Sequence, residues 1–386
     1  MTTGTWSRVD GLGRWSGIAL AVALAAQSGC SADTASITPL AWQKVAGPGP
    51  RGALLGPGST GAFDEGGNFT VSAFKDGANY KLYYGGADSN TAPSCPGIND
   101  AHWRVGLAQS SDGVNFTRVP GSQTGGSILD IGAAGSFDSY LAYRPFVLKD
   151  GTLYRMWYNG STHPFNCPPG QLALNRRIGY AESTDGTAWT KKNDGPGPGG
   201  SVLPLGATGE FDAQQVGYVW VLKDTNEYKM YYSANDATNT WRVGLAVSTD
   251  ARTWTKKRGK IANGSVLDVG PSGSLDFACA YQPSVVKEND TLYRMWYRGC
   301  QQPSPNGGPS GGVIGYAESN DGITWIKIGA GGPMGEAVSA GAAGQFDSGG
   351  LTTPSVFLDG NTWRMYYAGF DTNGVFSAGL AEAPKQ

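Results

Sequence analysis

Gly135-Ser136-Phe137-Asp138, an apolar run, Leu153-Tyr154-Arg155-Met156-Trp157-Tyr158, then Ile178-Gly179-Tyr180-Ala181-Glu182-Ser183 and Asp185-Gly186 followed by Trp189-Thr190-Lys191: this succession recurs along the whole chain. Its G-x-[FL]-D element ends at Asp64, Asp138, Asp212, Asp276 and Asp347, so five copies follow one another at a period of roughly 70 residues. Each copy holds four short apolar or aromatic runs bounded by Gly, Asn, Asp and Pro, without the 3.6-residue periodicity of a long helix. The pattern predicts an all-β chain in which each copy is one four-stranded antiparallel blade. In the second copy the strands are expected at 142–149 (A), 153–158 (B), 177–183 (C) and 189–192 (D). Five blades set radially make a five-bladed β-propeller.

The fifth copy lacks its own W-x-K strand after Leu380-Ala381-Glu382. Trp42-Gln43-Lys44 matches Trp189-Thr190-Lys191, Trp254-Thr255-Lys256 and Trp325-Ile326-Lys327. An N-terminal strand is therefore expected to complete the last blade and close the ring, leaving no unpaired edge. One domain, residues 38–386, follows.

The composition fits that architecture: 60 Gly and 22 Pro suit many tight turns, and 12 Trp suit aromatic packing between sheets. A net charge of −2 gives no electrostatic reason for nucleic acid or an acidic membrane to be a partner. A neutral ligand and a monomeric chain are expected. Residues 1–30 read as an export signal: Arg8 and Arg14 precede the short apolar stretch 18–26. Ser28-Gly29-Cys30 resembles the end of a bacterial lipobox, although Gln27 stands where Leu is usual. Two outcomes are open: a lipoprotein anchored through Cys30 in the outer membrane or periplasm, with 31–37 as a tether, or a secreted protein. Membrane contact is expected only through such an anchor.

Export places the remaining cysteines in oxidising surroundings. Cys279 opens strand A of blade 4 and Cys300 begins the B–C loop of the same blade, so these two are expected to pair. Cys95 and Cys167 lie in corresponding loops of blades 1 and 2 and form the other expected pair. With only two histidines in the chain, no metal site is assigned.

Strand order puts the D–A and B–C loops on one face, here the top, and the S-x-D-G-x-x-W turns (Asp185, Asp250, Asp321 and, with Phe, Asp112) on the other. Those turns, which resemble sialidase Asp-boxes, read as structural. On the top face the repeat aspartates have two readings: each ties its own turn, or some of them are catalytic. Two further columns vary from blade to blade. Before the Val or Pro of strand A stand Thr70, Arg144, Tyr218, Gln282 and Thr353; with Tyr143 and Tyr281 they are candidate walls of the central cavity. Tyr143, Arg144, Tyr218, Tyr281, Gln282 and Thr353 would meet sugar faces and hydroxyls, or the tyrosines would simply plug the channel. Four residues after strand B come Asp88, Thr162, Asp236, Gln301 and Asp371. Glycosidic hydrolysis needs two carboxyl groups; the candidates are Asp64, Glu65, Asp138, Asp212, Asp236 and Asp347.

The blade count, the Phe137-Asp138-Ser139…Pro145 and Phe346-Asp347-Ser348…Pro354 strands, and the Tyr154–Tyr158 and Tyr293–Tyr297 strands together resemble the five-bladed glycosidase superfamily. That group spans arabinanases and xylosidases (glycoside hydrolase family 43), invertases and levansucrases (families 32 and 68) and mannoside phosphorylases (family 130). The resemblance implies a carbohydrate partner, no organic cofactor, and room for a channel cation of the calcium type. This chain departs from the familiar acids: Thr70-Val71 stands for an Asp-Pro, Arg144-Pro145 lacks the intervening Asp, and Gln214-Gln215 replaces a Glu. Two functions are therefore in view: an exported glycoside hydrolase acting on a neutral poly- or oligosaccharide, or a non-catalytic propeller binding carbohydrate or protein.

Overall fold

Runs of Val, Tyr, Trp and Met broken by Gly-containing turns form strands and little else. The computed structural model describes residues 39–88, 93–95, 98–99, 102–162, 175–302 and 311–386, and its helical pieces are four three-residue 3-10 turns. β1 (Gln43–Val45) comes first. The first repeat holds β2 (Gly67–Asp76), β3 (Asn79–Ala87), a small hairpin of β4 (Pro93–Cys95) and β5 (Ile98–Asn99), β6 (Trp103–Ser110) and β7 (Thr117–Val119). The second holds β8 (Leu141–Asp150), β9 (Leu153–Ser161), β10 (Arg177–Ser183) and β11 (Thr190–Lys191). The third holds β12 (Gln215–Lys223), β13 (Tyr228–Asn235), β14 (Trp241–Ser248) and β15 (Thr255–Lys257). The fourth holds β16 (Cys279–Asn289), β17 (Leu292–Cys300), β18 (Val313–Ser319) and β19 (Ile326–Lys327); the fifth holds β20 (Gly350–Asp359), β21 (Thr362–Phe370) and β22 (Phe376–Pro384). The Cys30 motif, the signal segment, Cys167 and the side chain of Cys95 lie outside the described residues.

Within each repeat the strands pair antiparallel in sequence order. In the fifth, the outer partner of β22 is β1, in the register Gln43↔Glu382, Lys44↔Ala381, Val45↔Leu380. Single parallel pairs, Trp103↔Leu141 and Trp241↔Cys279, join repeats 1 to 2 and 3 to 4. The first strands touch one another in the order β2, β8, β12, β16, β20 and back to β2.

Three interactions recur with the repeat. The outer-strand aromatic packs edge-on against a second-strand aromatic of the preceding repeat: Phe116 on Tyr366, Trp189 on Tyr83, Trp254 on Trp157, Trp325 on Tyr231 and Trp42 on Trp296, with centroids 5.8–6.1 Å apart. The Asp of each S-x-D turn accepts from two backbone amides, as Asp185 does from Thr187 and Ala188. The turn also receives a tyrosine from its neighbour, since Tyr83, Tyr231 and Tyr366 donate to the carbonyls of Gly186, Gly322 and Gly113.

The third interaction stitches repeats together at the ends of the first strands. Lys75 and Tyr80 bind Asp359, Lys149 and Tyr154 bind Asp76, Lys223 and Tyr228 bind Asp150, and Lys287 and Tyr293 bind Asp224. Each carboxylate is met by the repeat that follows it, including the fifth by the first. The seam from repeat 4 to 5 differs: Leu358 stands where the lysine would be, and Glu288 turns to Arg294 in its own repeat.

Two predictions follow from these ties. Deleting residues 38–46 removes the outer partner of β22 and the Trp42–Trp296 contact, so the melting temperature should drop in one cooperative transition; an unchanged melting curve would show that β1 contributes nothing. The second concerns acid. Burial pushes Asp76 and Asp150 up, but Lys149, Tyr154 and Lys81 around the first, and Lys223, Tyr228 and Arg155 around the second, outweigh it and hold both down to about 2; the Thr225 amide and Lys287 do the same for Asp224. Carboxylates with depressed folded-state pKa values add stability above their ordinary value near 3.8 and lose it as pH falls through the folded value. Melting temperature should change little with these groups from pH 7 to 5 and fall steeply between about pH 4 and 2.

Candidate functional site

The first strand of each repeat carries a bulge near its start. The register shifts between Tyr143 and Phe146, Gly217 and Trp220, Tyr281 and Ser284, and Thr352 and Ser355. At those points Arg144, Tyr218, Gln282 and Thr353 take left-handed φ values of 56°, 49°, 56° and 48°. A non-glycine residue there costs roughly 1–3 kcal/mol, so surrounding bonds must impose it. Three of the four amides are captured by the preceding repeat: Tyr218 N donates to Asn159 Oδ1, Gln282 N to Ser233 Oγ, and Thr353 N to Gln282 Oε1.

These four residues, with Thr70 and the prolines at 145, 283 and 354, line a central cavity of about 30 Å³. Polar atoms on its wall are left without hydrogen-bond partners: Thr70 Oγ1, Arg144 Nε and Nη1, Gln282 Nε2 and Thr353 Oγ1. Tyr143 and Tyr281 lie buried behind the lining; Arg176 Nε donates to the Tyr143 hydroxyl (2.9 Å) and Arg298 Nη1 to that of Tyr281 (2.8 Å). The Arg144 guanidinium lies 3.8 Å from the centre of the Tyr218 ring, and that of Arg176 lies 5.4 Å from the same ring and 5.1 Å from Trp241. Burial lowers the pKa of Arg144 and raises that of the Tyr281 hydroxyl, while the charges of Arg298, Arg144 and Arg176 oppose the latter shift. Three guanidinium groups thus act on one spot.

Elsewhere arginines meet acids. Arg104 bridges Asp88 and Asp130, Arg242 bridges Asp236 and Asp268, and Arg294 bridges Glu288 and Glu318. Arg144 and Arg298 have no carboxylate partner among the described residues, and no described Asp or Glu lines the cavity.

The carboxylates singled out in the sequence sit apart from it. Asp64, Asp138, Asp212 and Asp347 are sealed from solvent. Each accepts a tyrosine hydroxyl from the second strand of its own repeat: Tyr84, Tyr158, Tyr232 and Tyr367. Each is also ion-paired to a base on the outer strand: Arg118, Lys191, Lys256 and Lys44. Asp276, with Tyr297 and Lys327, repeats the arrangement. Asp236 is held by Arg242 and by the Thr238 amide, which keep its carboxyl below the usual range against the opposing effect of burial. Glu65 is half-buried and accepts from the Gly61 amide. Asp64, Asp138, Asp212, Asp236 and Asp347 share no hydrogen-bond partner among the described residues.

Two features escaped the sequence reading. Gly58, Gly132, Gly206, Gly270 and Gly341 each stand six residues before the buried Asp, and a Cβ there would collide with the carboxylate or, at Gly270, also with Ser274. Arg176 and Arg298 were also missed. The signal was a broken column: Arg176 replaces Trp103 and Trp241, and Arg298 stands where Gly85, Asn159, Ser233 and Ala368 are small.

Among the described residues no group of three or more His, Cys, Asp or Glu is placed to hold a metal ion. A cavity wall carrying the Arg144 cation does not fit the channel cation that the family resemblance left room for.

No known protein-family model matches the chain. An uncharacterised protein of Mycobacterium tuberculosis is 27% identical over 236 residues, which are 60% of this chain and 69% of that one. Solved structures similar to it include a glycoside hydrolase (TM-score 0.65, 16% identity, 89% of this chain and 93% of that one). A glycosyl hydrolase from Bacteroides ovatus follows at 0.61 and 16%, with 89% and 94% covered. A β-1,2-mannobiose phosphorylase from Listeria innocua, seen with β-1,2-mannobiose, follows at 0.60 and 14%, with 86% and 94% covered. The shared property is the propeller-like fold.

One clamp at this end is covalent. Cys279 and Cys300 form a disulfide between directly paired residues of β16 and β17, Cα atoms 5.1 Å apart, in one cluster with Tyr218, Trp241 and Tyr281. Closing a loop of this length is worth roughly 3 kcal/mol. Cys279→Ser with Cys300→Ser should lower unfolding free energy by about 2–4 kcal/mol in urea titrations; a loss below about 0.5 kcal/mol would mean that the strand pairing alone sets the geometry.

Proposed function

We propose that residues 38–386 form a five-bladed propeller of the glycosidase type, closed by β1 in the fifth blade, and that the chain recognises carbohydrate at its central cavity. One observation carries the reading: Thr70, Arg144, Gln282 and Thr353, which line one void, each hold a buried polar atom without a partner, three of the four residues in left-handed backbone. Orphaned buried donors cost free energy unless a ligand or water meets them. Neutral donors beside tyrosine faces suit hydroxyl groups and a sugar ring. Closure is supported by Lys44, which in β1 binds Asp347 as Lys191 binds Asp138.

Recognition is favoured over cleavage at this spot, because hydrolysis needs an acid and a base or nucleophile there. The second reading, a glycoside hydrolase or phosphorylase, is supported by the glycoside hydrolases and the mannobiose phosphorylase among the structural neighbours. It would draw its acids from carboxylates that are not sealed, Glu65 and Asp236, or from Asp88. We also propose export, with Cys30 as the lipidated residue; mass spectrometry of the mature N-terminus tests that, and an unmodified Cys30 would leave secretion.

A panel of poly- and oligosaccharides, assayed in parallel for binding and for release of reducing sugar, separates the two readings. Binding without release is the expected result; release abolished by Glu65→Gln or Asp236→Asn would replace it with hydrolysis. Asp138→Asn serves as the structural control. It leaves Lys191 facing a neutral group in a sealed site and should cost roughly 3 kcal/mol of stability, with little change in sugar affinity of the folded protein.

A further inference from the structure

We infer that the cavity at Arg144 is an oxyanion subsite that takes the carboxylate of an acidic sugar; this rests on the carbohydrate reading above and narrows it. Arg144 cannot shed its proton. Its Nε and Nη1 are buried without a hydrogen-bond partner. A cation partly withdrawn from water is costly unless paired, and Arg104, Arg118, Arg155, Arg242, Arg294 and Arg364 are each met by an acid. Here the chain supplies none among the described residues.

The field around Arg144 is positive beyond its own charge. Arg144 and Arg176 both lie against the Tyr218 ring, 3.8 and 5.4 Å from its centre, so an entering anion meets one guanidinium directly and the potential of a second. Residues lining the same void carry further unpartnered buried groups: Gln282 Nε2, Thr70 Oγ1 and Thr353 Oγ1. The volume selects among ligands. About 30 Å³ holds roughly two waters, or the two oxygens of a carboxylate, and excludes a sugar ring. The ring must stay outside while its substituent enters. A planar carboxylate matches the guanidinium fork, as a phosphate does too, so inorganic phosphate is a separate arm of the test.

The test is calorimetric titration of the whole protein with oligogalacturonate and a glucuronic-acid oligosaccharide, with the methyl ester of each, and with inorganic phosphate. An acid should bind at least tenfold tighter than its ester, which keeps every hydroxyl and loses only the charge. Arg144→Gln should remove that preference, costing the acid at least tenfold more affinity than it costs the ester, and Arg144→Lys should keep part of it. Arg144→Gln gives up the contact with the Tyr218 ring but no hydrogen bond at Nε or Nη1, so it should melt close to the parent; if it does not fold, the acid-to-ester ratio in the parent decides alone. Equal binding of acid and ester, or binding of neutral sugars only, overturns the inference and leaves the carbohydrate reading standing. Binding of phosphate alone, or of nothing, overturns both.

Discussion

A carboxylate sealed from water must be met by donors, and in this chain that requirement is imposed five times. Asp64, Asp138, Asp212, Asp276 and Asp347 each draw a tyrosine from the second strand and a base from the outer strand to one point. Breaking a buried pair of this kind costs several kcal/mol. The carboxylate therefore fixes how the turn before the first strand lies over the rest of its sheet. The glycine six residues earlier exists because the turn must close onto the carboxylate with no Cβ between them. In the fifth repeat the base is Lys44, nearly the whole chain away in sequence, so the same local demand joins the two ends.

Periodicity made the strands legible, because antiparallel units that pack alike need the same residues at the same offsets. The second copy was expected at 142–149, 153–158 and 177–183, and the strands run Leu141–Asp150, Leu153–Ser161 and Arg177–Ser183. What periodicity hides is which repeated polar group is active. The aspartates recur because the tie recurs, and a sequence shows the recurrence without showing that each carboxylate is sealed. The column holding Arg144, Tyr218, Gln282 and Thr353 was visible as variation beside proline, but nothing in one sequence reveals that these residues are left-handed or that their amides are captured from the neighbouring repeat.

Net charge is silent about a single cavity. A total of −2 spread over 29 basic and 31 acidic side chains describes the average surface, and many of those charges are spent on one another, within a repeat or across a seam. The sign at the cavity is set by the few that are not. Arg176 and Arg298 each break a column that is aromatic or small in the other repeats, so the symmetry that builds the scaffold also marks its exceptions.

Left-handed backbone and unpaired charge meet at one level of the channel, and both run against stability. Strain of roughly 1–3 kcal/mol per left-handed residue and a cation without a carboxylate partner would be removed by ordinary substitution if folding were all that the cavity served. Neither is needed to form the sheets: repeat 1 builds the same strand with Thr70 outside the left-handed region, and the other repeats hold no second arginine in that column. The scaffold is stable enough elsewhere, through five buried ties and the lysine–aspartate seams, to hold residues in conformations that a ligand rather than the fold would reward.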